Sequence, residues 1–252
     1  MIDDQAAPIQ SENKTWLLAF KDIFFAPRNI PSRAPFPIGK VAAVAVVMYI
    51  ISAIGAAYIN DSHSGLRYEH FRLRALPIEI GQKKGDIPPI KAADLLKDLE
   101  KNYRFELTTA LTATLPLAVL WLLFSTLIIW IFQSILFENS LTFSYTLAFV
   151  SFGNAIDAVG NLLKTVLHAV AGTLRADPSF GAFVNMYDDP IMFAFLSRVD
   201  IFTIWQYISI ALAIAAYLGA DRRKAYILAV LVIMVVIFYF GAGAFLGSML
   251  VA

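Results

Sequence analysis

The sequence predicts an all-α, polytopic integral membrane protein, a bundle of about five transmembrane helices. Three observations predict it. First, 59% of the 252 residues are hydrophobic and the mean hydropathy is +0.67, well above the ~45–50% apolar content usual for soluble domains. Second, the stretches 41–59, 107–137, 141–156, 201–220 and 225–252 carry no charge. At ~1.5 Å per helical residue, runs of this kind, extended by their flanks where short, can cross a ~30 Å hydrocarbon core. Third, charges gather between the runs, most clearly at Asp221-Arg222-Arg223-Lys224. The formal net charge is only +1, from 20 basic and 19 acidic residues. No basic arm therefore points to nucleic acid. Cysteine is absent, which removes disulfides, thiolate catalysis, iron–sulfur ligation and Cys-bound zinc.

Residues 1–37 read as an N-terminal cytoplasmic segment with an amphipathic helix, Trp16 to Phe25, suited to the headgroup region and ended by Pro27. The remainder, 38–252, is the five-span membrane domain. Its first apolar run comes too late and runs too long for a cleaved signal peptide, so it stays in the protein. Residues 60–106 form the long hydrophilic insert, with nine Lys/Arg against eight Asp/Glu. Within it Ala92, Leu95, Leu96, Leu99 and Tyr103 fall at helical spacing after Pro88-Pro89, predicting a helix that runs into the second span. Pro116 is expected to kink that span. A turn at Glu138-Asn139-Ser140 leads to the third span, whose second half carries Asn154, Asp157, Asn161, Lys164 and His168 at steps of three and four. That period puts all five on one face. An aromatic and acidic loop, 176–190, precedes the terminal hairpin.

Five spans place the termini on opposite membrane faces. Arg222, Arg223 and Lys224 form a short basic turn between two spans, where the positive-inside bias acts most strongly. The N-terminal lysines and arginines share that side, so the N-terminus is expected in the cytoplasm and the C-terminus outside. The balanced insert is then extracytoplasmic.

Several of these stretches resemble the Yip (Ypt-interacting-protein) domain family. The segment from Ser140 to Val150 is similar to the family's Ser/Thr-Phe start and Tyr-Ser-containing helix. Asp200-Ile201-Phe202-Thr203-Ile204-Trp205 resembles its "D-L-F-x-x-W" start of the fourth span, and Leu218-Gly219 with Arg223-Lys224-Ala225 its glycine and basic turn. Phe24-Phe25-Ala26-Pro27-Arg28 resembles the aromatic–Pro element before the first span. Two departures stand out: Asn154-Ala155 replaces a proline common in the third span, and the insert is longer than usual. The resemblance implies a non-enzymatic protein that binds other membrane proteins, as a scaffold or accessory subunit. The short loops and short N-terminal segment would suit a prokaryotic member in the bacterial inner membrane. No cofactor, metal or catalytic residue is implied.

Candidate residues carry competing readings. Ionisable groups inside a membrane are costly and often functional, yet the helix leaves the lipid near Gly160 to Leu162, which puts Lys164 and His168 at the headgroups. Asn154 and Asp157 then serve helix–helix bonding, with Lys164, Arg198 or a partner subunit pairing with Asp157. Asp200 suits a helix cap, and Trp205 and Tyr217 suit interfacial belts. Gly241, Gly243 and Gly247 offer a close-packing face on the fifth span. His63 and His70 read as solvated. The alternative function is a small-solute or ion transporter using the polar face of the third span. It requires that stripe to line a wet central cavity, whereas dry packing would exclude it. An intramembrane enzyme would need Asp157, Lys164 and His168 to converge on one pocket.

Overall fold

The computed structural model describes residues 15–102, 107–174, 176, 178–184, 192–193, 196–197 and 199–251, with the side chains of 15, 102, 107–111 and 240–251 outside the description. Among these residues every regular element is a helix: α1 (Thr15–Phe25), α2 (Ile38–Ser62), α3 (Ser64–Lys84), α4 (Pro89–Asn102), α5 (Leu107–Leu136), α6 (Phe143–Ala171), α7 (Ile201–Tyr217) and α8 (Arg222–Val251), with short 3-10 turns at Pro27–Arg33 and Phe180–Phe183. Among the described residues three helices are long and apolar enough to cross a membrane: Ile38–Ser62, Thr112–Leu136 and Phe143–Ala171. A shorter apolar helix, Ile201–Tyr217, joins them.

Helix α6 is the axis. In its most apolar stretch 67% is buried inside the protein, against 11% for α2 and 28% for α5, so α6 faces protein where the other two face outward. Thr142 starts it by accepting a hydrogen bond from the Tyr145 amide, and Gly172 ends it at φ 68°, a left-handed cap that favours glycine. Helix α2 runs parallel beside it: the Ser52 hydroxyl donates to the Ala158 carbonyl at 2.8 Å. Helix α7 runs antiparallel, so that Gly153 meets Ile210, Gly160 meets Phe202, and Tyr145 stacks near Tyr217. Two glycines at a seven-residue interval thus let α7 approach α6 closely. Helix α5 returns to α6 through Gln133, fully buried, whose amide donates to the Leu141 carbonyl and the Thr146 hydroxyl, both at 3.0 Å. Its run stays helical through Pro116.

The N-terminal region packs one side onto the bundle and leaves Leu17, Leu18 and Phe25 exposed. Its α1 and the following 3-10 turn dock on α6 and α7, with Ala19, Ile23 and Ile30 at 0% exposure. The Phe20 ring lies 4.9 Å from Phe152 and Phe24 lies 5.8 Å from Trp205. An amphipathic face finds apolar protein as readily as apolar lipid, since burial is non-directional. The insert also holds more structure than one helix. Ala92, Leu96 and Leu99 turn toward α3, Leu95 is exposed, and Tyr103 lies outside the described residues. A small second core of Leu66, Leu174 and Phe193 joins α3 to the segment after α6.

A Cβ at Gly160 would lie 2.6 Å from Phe202 Cβ, a contact that forces the helices apart. Ala recovers ~1 kcal/mol of helix propensity, but overpacking costs ~1–3 kcal/mol. Gly153→Ala and Gly160→Ala combined are therefore expected to lower stability, by up to about 4 kcal/mol, read by denaturant titration in mild detergent; unchanged stability would show that α6 and α7 are not packed this closely.

Candidate functional site

The polar stripe of α6 faces inward and divides into three environments. At its deepest, Asn154 is 3% exposed and its amide oxygen accepts a hydrogen bond from the Gln206 amide of α7 at 2.9 Å. This one hydrogen bond between two buried amides fixes the rotation of both helices, because losing it would leave a buried polar group at a cost of ~1–3 kcal/mol. One and two turns further, Asp157 and Asn161 reach a cavity of about 560 Å³. Thr203 and Gln206 of α7 share this wall with them. The opposite wall comes from α5 and α8 and is apolar and aromatic: Leu117, Leu120, Trp121, Phe124, Val236 and Tyr239. Tyr49 of α2 and Tyr207 of α7 complete it.

At the top of the polar wall sits an ion pair. Lys164 Nζ lies 2.6 Å from Asp200 Oδ2, with side-chain exposures of 14% and 8%, and also donates to the Ser197 carbonyl at 3.2 Å. Asp200 has a second task. Its Oδ1 accepts the Thr203 amide at 2.7 Å and caps α7, where the positive end of the helix dipole favours a carboxylate. Its backbone forms an isolated antiparallel bridge with Ser179. The cap expected for Asp200 is present, and the ion pair to Lys164 is added to it. Arg198 lies outside the described residues.

His168 stands apart from the cavity and near His70 of α3. Asp157 and Lys164 share that cavity, and His168 is not among its lining residues. Around this second cluster Glu69 accepts the Thr173 hydroxyl at 2.9 Å and the Leu174 amide at 2.6 Å, clasping the insert onto the end of α6. His70 is half-buried, and its Nε2 is enclosed without a hydrogen-bond partner. Burial lowers its pKa from the ordinary 6.5, the neighbouring His168 and Arg74 lower it further, and Glu69 opposes them. It is thus not the solvated histidine expected. His63 is exposed at the α2–α3 break, its Nδ1 3.0 Å from the Ile59 carbonyl oxygen. Among the described residues no three His, Asp or Glu side chains gather as metal ligands.

The remaining candidates lie elsewhere. Trp205 packs edge-on against Phe24 and Tyr217 tilts on Tyr145, so both rings contact protein in addition to any membrane boundary. Arg222 and Arg223 are exposed in the α7–α8 turn, where Gly219 takes φ 64°, and Lys224 lies 3.7 Å from Glu138. Gly241, Gly243 and Gly247 fall on the helix of α8, and their surroundings lie outside the described residues. Sequence reasoning missed Gln206, Tyr207, Tyr49 and Thr203. Gln206 carried a signal: it is the one amide in the uncharged run 201–220. The Tyr207 and Ser125 hydroxyls are buried neighbours, and neither has a well-aligned hydrogen-bond partner.

Compared with known proteins, the chain matches no family model, no curated protein and no solved structure. The Yip-domain likeness rests on the sequence stretches that carry it.

Two outcomes are expected from this geometry. Asp200→Asn, which keeps a capping oxygen, and Lys164→Met each leave a buried charge without its partner and should cost about 3–5 kcal/mol; the double substitution should recover roughly half or more, because a buried pair as a unit adds little. A denaturant-monitored double-mutant cycle reads this, and additive losses would refute a direct pair. The second concerns pH. His70 binds its proton less readily when α3 is docked than when it is free, so docking stability is fully present above pH 6.5 and falls as pH drops through and below that value. Hydrogen exchange of α3, corrected for intrinsic rates, should rise between about pH 7.5 and pH 5.5, and His70→Asn should flatten the change.

Proposed function

We propose that this chain is a five-span integral membrane protein that binds, and by alternating exposure carries, a small solute through the cavity beside α6. The supporting observation is the placement of Asp157, Asn161 and Lys164, together with Thr203 and Gln206, on the wall of a 560 Å³ space. Cavities of ~300–1,000 Å³ with a few convergent polar groups are the usual shape of ligand sites. Polar side chains in a membrane bundle line solute paths more often than they are left facing lipid. In this reading α2, α5, α6, α7 and α8 are the spans, the α7–α8 turn with Arg222 and Arg223 faces the cytoplasm, and α3 and α4 cover the outer end in a bacterial inner membrane. The protein acts without catalysis.

A second reading is favoured by a different observation. The insert exposes Ile90 at 80% and Tyr68 at 60%, apolar side chains outside the apolar helices that a partner protein can cover. There the protein serves as an accessory subunit to another membrane protein, the role implied by the Yip-domain resemblance.

Because the chain has no cysteine, single thiols can report the state of the cavity. Iodoacetamide attacks thiolate, which forms only where water stabilises it. In lipid nanodiscs Thr203→Cys and Asn161→Cys are expected to react at least about tenfold faster than Ala213→Cys, buried on the same helix α7 at 0% exposure. Equal, slow labelling at all three positions would mean that the stripe packs dry, which removes the carrier reading.

A further inference from the structure

The two walls of the cavity differ in kind, and the difference selects a ligand. On the α5–α8 side three rings form a cluster: Phe124 and Tyr239 have centroids 4.8 Å apart, Trp121 and Phe124 5.8 Å, and Trp121 and Tyr239 6.1 Å. All three line the cavity. Facing them, α6 and the start of α7 bring two carboxylates, Asp157 and Asp200, and one ammonium, Lys164. We propose that this cavity binds organic cations: molecules with a weakly hydrated, delocalised or substituted positive centre, held between the Asp157 side of the polar wall and the aromatic rings of the other.

Each competing ligand class meets a specific obstacle. An anion would need Lys164, but that ammonium is already 2.6 Å from Asp200 and bonded to the Ser197 carbonyl, and the incoming charge would also meet Asp157. A wholly apolar molecule would strip water from Asp157, Asn161 and Thr203 without replacing its hydrogen bonds, which is costly in a low-dielectric site. A small inorganic cation keeps a strong hydration shell and gains little from Trp121 and Phe124. An organic cation uses both walls at once. Its positive centre is attracted by ring faces within ~6 Å, by up to ~2 kcal/mol when desolvated, and its apolar substituents fill the space beside Leu117, Leu120 and Val236.

The inference rests on the reading that the cavity admits solutes, and one assay separates their failures. The full chain carrying Thr203→Cys is reconstituted in nanodiscs and labelled with iodoacetamide in the presence of tetraphenylphosphonium or, as a matched anion, tetraphenylborate. The expected result is labelling that the phosphonium slows in a saturable manner and the borate does not, with the protecting concentration rising at least about tenfold, ~1.4 kcal/mol, on Asp157→Asn or Trp121→Leu. Two substitutions on opposite walls keep the test decisive if one fails to fold, which size-exclusion elution reports. Labelling that neither ion slows, or that the borate slows as well, overturns the cation proposal and leaves the solute cavity standing. Absence of labelling overturns both.

Discussion

A lysine and an aspartate held 2.6 Å apart with most of both side chains out of water set the terms for the rest of this bundle. Removing two charges from water is expensive, and only close geometry with further hydrogen bonds offsets it. Here the further bonds are present. Lys164 also meets the Ser197 carbonyl, and Asp200 also caps α7. The pair therefore fixes where α7 begins relative to α6, and the rest of the α6–α7 seam follows in antiparallel register: Phe202 over Gly160, Gln206 against Asn154, Ile210 over Gly153 and Tyr217 beside Tyr145. A shift of α7 by one residue would break the amide pair and drive side chains into the glycines.

The same register leaves the cavity open. Glycine draws α7 close onto α6, and the longer side chains of Asp157 and Asn161 reach the adjoining space, where α5 and α8 meet each other through aromatic rings. Close packing on one face of the axis and a lined space on the next come from one alternation of small and polar residues along a single helix. The cluster at the far end follows a different rule. There Glu69 and His70 come from the insert, and they meet α6 only because α2, parallel to α6, delivers α3 to its end.

Much of this was legible in the sequence. The apolar runs, the basic turn and the helix in 89–102 announce themselves through composition and periodicity, which are local. The spacing of Asn154, Asp157, Asn161 and Lys164 announced a shared face. Less was legible where an answer depended on a distant partner. Nothing near Trp16 to Phe25 distinguishes a helix lying on lipid from one docked on Phe152 and Trp205, because both offer apolar contact. Lys164 had a nearby carboxylate in sequence, Asp157, and the structure pairs it with Asp200. His70 looked solvated because its neighbours in sequence are charged, and the groups that shift it include His168 on another helix.

By itself the sequence determined that the chain is helical and apolar, which residues share a face of α6, and that Asp200 opens a helix. Each of these is settled by spacing within one segment and by the affinity of apolar side chains for a dry surrounding. Only the tertiary structure decided what that face looks at. Whether Asn154 finds Gln206, whether Asp157 meets a neighbouring helix or an open space, and whether Trp121 and Tyr239 stand opposite a carboxylate depend on how four helices cross. Crossing is fixed by contacts between residues far apart in the chain, of which the two α6 glycines and the Lys164–Asp200 pair are the clearest.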